Sequence, residues 1–381
     1  MRKACVAILL LLMPVYLGAQ CTSAVASQGL HAGSNGPAQY VVFMPQPAGC
    51  YNGTMILFAH GYVPVGAPST AWQSQLFLPD GTSLPALLNS QGFGFAASSF
   101  SKDGLAVLQG IQDTKALTSV IQGLQIPVSR YFVAGASEGG LVAAKSVESD
   151  ATYSGGIAVC GPVGSFRKQL NYFGDVRVLF DYFFPSVLST GTPGESAISI
   201  PPALIANWTT VYEPAVRKAV NSNFLATLQL VLAAKIPIGL NFNNAADAIV
   251  SALWYNVFAT TDAQITLGGN PFDNIGTFYT GSFRDSRLNA KVARFAAAPA
   301  AISSLQAYET SGLLPDPLVT LHTLADPVVP FWQETLYSAK VRSAGSSAEL
   351  VQIPALSYGH CNVNATEAKA ALLALLLKAG Q

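Results

Sequence analysis

Apolar residues in this chain gather into short, nearly continuous runs set between longer stretches of helical period. Residues 40–44, 54–59, 93–99, 130–135, 155–160, 318–323 and 349–353 are such runs, bounded by Gly, Pro, Asn and Ser. Runs of that length and composition predict strands, and those with hardly a polar position predict strands buried on both faces. Residues 84–91, 104–123 and 363–379 repeat their apolar positions every three to four residues and predict helices. Strands alternating with helices predict an α/β fold, a mostly parallel central sheet with helices on both faces.

The alternation stops after residue 160. Aromatics crowd the next stretch (Phe166, Tyr172, Phe173, Phe180, Tyr182, Phe183 and Phe184), and helical patterns follow at 215–235 and 245–258. No internal repeat is visible. The α/β pattern resumes near residue 315. Residues 161–314 therefore read as a large, mainly helical cap, of a plausible subdomain size. It is inserted after the strand at 155–160, taken as the sixth of the core, and is expected to roof a substrate pocket. The core is then two pieces, 27–160 and 315–381.

The chain opens with Arg2 and Lys3, an apolar run from Val6 to Leu12, and two candidate cleavage sites, Leu17-Gly18-Ala19 and Ala24-Val25-Ala26. Residues 1–26 read as a signal peptide, which predicts a secreted or periplasmic protein. The run is short for a membrane span and contains Pro14. Gln20 before Cys21 argues against lipid attachment there. No later stretch has the length of a stable membrane span.

Charge changes the picture little. Twenty basic and twenty acidic residues cancel among 381, and only 10% of the chain is charged against 50% hydrophobic. About 25% charged is usual for soluble proteins. No basic stripe points to nucleic acid. The low charge points to an apolar binding face or to a habit of the secreting organism. With four His and five Cys, none at metal-ligand spacing, no zinc site is expected, and a serine–histidine–acid mechanism of the kind read below needs no metal or organic cofactor.

The candidate chemistry lies where predicted strands end. Gly135-Ala136-Ser137-Glu138-Gly139 follows one strand and opens a helix, the context that a G-x-S-x-G nucleophile turn requires. Asp326 follows the strand at 318–323 and His360 follows the strand at 349–353. Serine, acid and histidine, in that chain order and each just past a strand, predict a Ser137–His360–Asp326 triad. His60-Gly61-Tyr62, past the strand at 54–59, supplies a candidate second oxyanion donor, the Tyr62 N–H, beside that of Glu138. Cys160 and Cys361 should both lie at the carboxyl edge of the sheet and are expected to form a disulfide. Cys21–Cys50 would be a second bridge if cleavage falls after Ala19.

On His60-Gly61, Gly135-Ala136-Ser137-Glu138-Gly139, the His322-to-Pro330 stretch containing Asp326-Pro327-Val328-Val329-Pro330, and Gly359-His360, the chain resembles the secreted serine hydrolases of the αβ-hydrolase superfamily, over about residues 40–160 and 315–381. Tannase and feruloyl-esterase relatives carry cysteines beside both serine and histidine. Here only the histidine has one, which argues against placing the chain among them. The resemblance implies hydrolysis of a small-molecule or polymeric carboxylic ester, with an apolar acyl or alcohol group, through an acyl-enzyme. The alternative is a serine peptidase of the same fold, prolyl- or aminopeptidase-like. A non-catalytic binding protein is a third reading, opposed by the intact serine, acid and histidine.

Overall fold

The computed structural model describes residues 21–380, so the residues before Cys21, and with them most of the expected signal peptide, lie outside the description. Eight strands form one sheet: β1 (Thr22–Gly33), β2 (Gly36–Gln46), β3 (Thr54–Ala59), β4 (Gly94–Ser98), β5 (Arg130–Ala136), β6 (Tyr153–Val159), β7 (Leu318–Ala325) and β8 (Leu350–Tyr358). Their order across the sheet is β1-β2-β4-β3-β5-β6-β7-β8. Strands β3 to β8 are mutually parallel, and β2 runs against both of its neighbours, β1 and β4.

The helices of the core are α1 (Leu84–Asn89), α2 (Val107–Gly123) and α3 (Glu138–Ser149) before the long insertion. The chain between β6 and β7, termed the insertion for its place in the strand order alone, holds α4 (Phe166–Phe183), α5 (Pro202–Ala206), α6 (Glu213–Ser222), α7 (Phe224–Ala234), α8 (Ala245–Leu267), α9 (Asp285–Lys291) and α10 (Pro299–Leu305). The core closes with α11 (Trp332–Ser343) and α12 (Ala365–Lys378).

Alternation along the strands sends one set of side chains to each face. Met55, Leu57, Val133 and Ala158 pack on one face against α2, α3 and α11, through Leu117, Ala143, Val147 and Tyr337 among others. Ile56, Phe132, Ile157, Val319 and Leu321 pack on the other face with Ala371, Leu372 and Leu375 of α12. Burial on both faces explains why β3 and β4 are buried at every position. Local caps fix the helix starts: Ser83 caps α1, and Asn364 with Glu367 forms a capping box at α12.

The segment between β6 and β7 contains helices and no named strand. Its helices share a hydrophobic cluster, built on Phe180, Leu204, Trp208, Leu230, Ile249 and Leu253 among others, which also takes in Val328 and Val329 beyond β7. The aromatic-rich stretch seen in the sequence is largely α4, with Phe180 and Phe184 stacked at 5.2 Å.

Several expectations need correction. The first strand was missed altogether. Residues 22–26, expected to leave with the signal peptide, form the start of β1, with Ala24 opposite Met44 and Val25 opposite Phe43. The helix expected at 215–235 is two helices, α6 and α7, parted at Asn223, whose side chain caps α7 by accepting from the Ala226 N–H. The helix expected at 245–258 continues to Leu267 and ends on Gly268 in a left-handed conformation. Both expected disulfides are present, Cys21–Cys50 tying the start of β1 to the loop after β2, and Cys160–Cys361. Among the described residues no helix is long and apolar enough to cross a membrane.

Candidate active site

Three of the parallel strands end in the residues singled out from the sequence. Strand β5 runs into Ser137, which adopts φ +56° and ψ −121° before α3 begins. A non-glycine residue at positive φ is strained and needs its surroundings to hold it. The surroundings are the two glycines of the motif. A Cβ on Gly135 would stand 2.0 Å from the Gly139 carbonyl oxygen, and one on Gly139 would stand 2.0 Å from that of Ala59. Only glycine lets β5, β3 and α3 come this close, and that closeness turns Ser137 out at the sheet edge.

His360 connects the two other strand ends. Its Nδ1 donates to Asp326 Oδ2 at 2.8 Å, and the Ser137 hydroxyl lies 2.8 Å from its Nε2, placed to donate to it. Thus residues 137, 326 and 360, far apart in the chain, form one line of hydrogen bonds.

Asp326 is fully buried, and every contact it makes suits a charged carboxylate. Its Oδ1 accepts from the Val328 and Val329 N–H groups at 2.8 and 2.9 Å, and its Oδ2 also accepts from the Cys361 N–H at 3.4 Å. Behind it sits buried His322, which the sequence reading did not place in the site. His322 Nδ1 faces Glu334 Oε1 at 3.0 Å, and Nε2 faces the Val329 carbonyl at 2.7 Å. Both ring nitrogens face oxygen atoms, an arrangement that favours the doubly protonated ring. Burial works against that charge, but the Glu334 hydrogen bond and the Glu334 and Asp326 charges outweigh it and hold its pKa above the ordinary value. Its Nε2 is 3.9 Å from Asp326 Oδ2. The insertion braces the same loop: on α4, Tyr172 donates to the Pro327 carbonyl at 2.8 Å and Gln169 to that of Val328 at 2.7 Å.

The His60-Gly61-Tyr62 turn lies against the serine, since a Cβ on Gly61 would be 3.0 Å from Ser137 Cβ. Gln75 holds this turn, its Oε1 accepting from the Gly61 N–H at 2.6 Å. The His60 ring is buried and stacks on Phe100 at 4.0 Å, and burial lowers its pKa, so it is neutral. Among the described residues, neither the Tyr62 nor the Glu138 N–H has a protein acceptor.

The Glu138 side chain turns away to accept from the Ala106 N–H at 2.7 Å. Burial pushes its carboxyl up to about 8, so it is protonated at neutral pH.

Cys160 and Cys361 both sit at positive φ, where their bond ties the histidine loop to the end of β6. Their sulfurs and His360 lie within 4.8 Å of one another, as metal ligands do. The two sulfurs are bonded to each other, however, which removes the thiolates a metal would need.

Two cavities meet Ser137. The larger, of about 480 Å³, is bordered by Ser137 and His360. It runs down the sheet face between α1 and α12, and Tyr255 of α8 is the insertion's one residue in its wall. The smaller, of about 60 Å³, lies between Ser137, Glu138 and the insertion residues Phe166, Phe173 and Tyr255. Tyr255 therefore borders both, with its ring 6.4 Å from that of His360. In the sequence it was only one more aromatic in a helix.

No family model matches the chain, and no curated protein does. Among solved structures, the ligand-bound rice cell wall degrading esterase LipA from Xanthomonas oryzae aligns with TM-score 0.48 and 16% identity, over 93% of this chain and 87% of that one. The acylaminoacyl peptidase of Pyrococcus horikoshii aligns with TM-score 0.46 and 12% identity, over 94% of this chain and 41% of that one. At such scores neither likeness says what the chain acts on. The chain's own strand order and its strained strand–serine–helix turn are those of the αβ-hydrolase fold.

Proposed function

We propose that the chain is an exported serine hydrolase that cleaves carboxylic esters with an apolar acyl or alcohol group. The observation that carries this reading is the hydrogen-bonded line from Ser137 Oγ through His360 to buried Asp326, opening onto an apolar cavity. His360 Nε2 takes the Ser137 proton as Oγ attacks the acyl carbon. Asp326 keeps the Nδ1–H tautomer and stabilises the imidazolium that forms. The Tyr62 and Glu138 N–H groups, free of protein acceptors, bind the oxyanion. The imidazolium then protonates the leaving alcohol. Water, deprotonated by the same ring, releases the acid.

The insertion acts as the cap of this core, with Tyr255 as its contact with the reacting centre. Cleavage of the signal peptide after Ala19 rather than Ala26 keeps Cys21 and the whole of β1, which favours the earlier site.

A peptidase that trims free N-termini needs a carboxylate for the substrate ammonium. The larger cavity has no Asp or Glu in its wall, and Glu138, beside the smaller one, is protonated at neutral pH. Both observations favour an uncharged ester. A panel of p-nitrophenyl esters beside aminoacyl-nitroanilides tests this. Expected is kcat/KM for an uncharged medium-chain ester at least about 100-fold above that for any anilide, about 2.7 kcal/mol in transition-state stabilisation. Cationic and anionic acyl groups, run as controls for intrinsic reactivity, should lower the rate. A preference for free-amino substrates in both series would move the protein to the peptidases.

A further inference from the structure

We propose that the larger cavity is an acyl-chain channel inside the hydrolase core, selecting straight-chain acyl groups of about eight to twelve carbons; this rests on Ser137 being the nucleophile.

The channel exists because of two small residues at the centre of the sheet. On the face that meets α1 and α12, β5 presents Ala134 and Ala136. Their neighbours across the ladder are larger: Phe58 on β3 pairs with Ala134, which pairs with Ile157 on β6, and Ala136 pairs with Val159. Alanine beside phenylalanine and isoleucine leaves a trough along β5. Helices α1 and α12 bridge the trough instead of filling it, contributing Leu87, Leu88, Ala371 and Leu372 to its walls. A central strand under helices should be dry, yet both alanines remain partly exposed. Close packing normally leaves few voids larger than a water.

The channel's place follows from the same strands. It begins at Ser137 and His360 and reaches Ile56, three residues back from the end of β3, so it runs about 10 Å down the face at roughly 3.3 Å per residue. Its walls are mainly aliphatic and aromatic, hold no Asp or Glu, and include the polar side chains of Ser74 and of Gln75, which holds the Gly61 turn beside Ser137. Lys369 and Gln91 are exposed at its rim. At about 30 Å³ per heavy-atom group, the share of a water in the liquid, about 480 Å³ admits at most roughly sixteen groups. The ester head and the open mouth take part of that room, which leaves about eight to twelve methylenes.

The occupant is the acyl part, not the alcohol. An acyl chain stays in the channel through both attack on Ser137 and hydrolysis of the acyl-enzyme, so its burial aids both steps. An alcohol leaves after the first. The smaller cavity, on the insertion side of Ser137, is left for a compact alcohol.

The test is a chain-length series of p-nitrophenyl esters from acetate to palmitate, run beside a series of straight-chain alkyl acetates, with wild type, Ala371→Phe and Leu87→Phe. Burial of one methylene is expected to raise kcat/KM roughly threefold to fourfold. Wild type should rise at least about 100-fold from butyrate to decanoate and fall by palmitate, and the alkyl acetates should show no such rise. Each variant narrows the channel from a different helix and should move the optimum to shorter chains, with the decanoate-to-butyrate ratio lowered at least about tenfold. A shift in that ratio is read within each variant, so a loss of folded protein does not imitate it. Wild type also gives a variant-free reading: decyl phosphonate p-nitrophenyl ester should inactivate at least about tenfold faster than the methyl phosphonate. A flat acyl series with acetate still hydrolysed and Ser137 still phosphonylated would overturn the channel alone, as would a rise confined to the alkyl acetates. No phosphonylation of Ser137 and no ester turnover would instead overturn the reading beneath it.

Discussion

Tyr172, on the first helix of the insertion, donates its hydroxyl to the carbonyl of Pro327, the residue next to Asp326, at 2.8 Å. The insertion thus holds the loop that carries the acid. Tyr172→Phe leaves a buried carbonyl without its donor, which costs about 1–3 kcal/mol. The expected result is a lowered Tm together with a kcat reduced about threefold to tenfold, because Asp326 positions His360. Thermal melts and ester kinetics on the same preparation check it. A lowered Tm with unchanged kcat would mean that the insertion braces the fold and not the acid.

Ser137→Ala and His360→Ala should each lower kcat on the order of 10⁴-fold to 10⁶-fold with the Tm little changed, and Asp326→Asn somewhat less. Steady-state kinetics with circular dichroism decides this. More than a tenth of the activity left in Ser137→Ala would exclude Ser137 as nucleophile.

Glu138 makes stability depend on pH. Its carboxyl is raised by burial from the ordinary 4.5 to about 8 in the fold. The folded protein therefore keeps a proton that the unfolded chain releases, so the stability this group contributes is full below about 4.5 and is lost as pH rises toward about 8. Glu138→Gln keeps an acceptor for the Ala106 N–H but cannot ionise. Its Tm relative to wild type should rise between pH 5 and pH 8, as read by thermal melts at each pH. An equal difference at both pH values would show that Glu138 titrates normally.

The bond between Cys160 and Cys361 closes a separation of 201 residues and joins the histidine loop to β6. Replacing both cysteines with serine should cost about 2–4 kcal/mol and lower kcat, since His360 precedes Cys361. Denaturant unfolding and kinetics measure the two effects, and non-reducing peptide mapping of wild type should recover the linked pair. A free thiol at Cys361 in protein purified without reductant would contradict the pairing.

Much of this was legible in the chain because buried strands write themselves as apolar runs. Residues 54–59 are buried throughout and were read at their true bounds. Ser137, Asp326 and His360 were legible because each follows such a run. Strand β1 was not, since it is an edge strand with much of its length exposed, and its Ala24-Val25-Ala26 also spells a cleavage motif. His322 and Tyr255 were hidden for another reason. Their roles depend on which elements pack against them, Glu334 from α11 in one case and the sheet edge in the other. The larger cavity was not foreseen for the same reason: small residues on one strand predict a hollow only once the covering helices are known.

Every step at this site depends on Ser137 being an activated nucleophile, and a fluorophosphonate probe with mass-spectrometric mapping measures that in one step. The prediction is one covalent adduct, on Ser137, formed rapidly by wild type, formed at least about 100-fold more slowly by His360→Ala, and absent from Ser137→Ala. An adduct on another serine, or a folded wild-type protein that takes none, would contradict it.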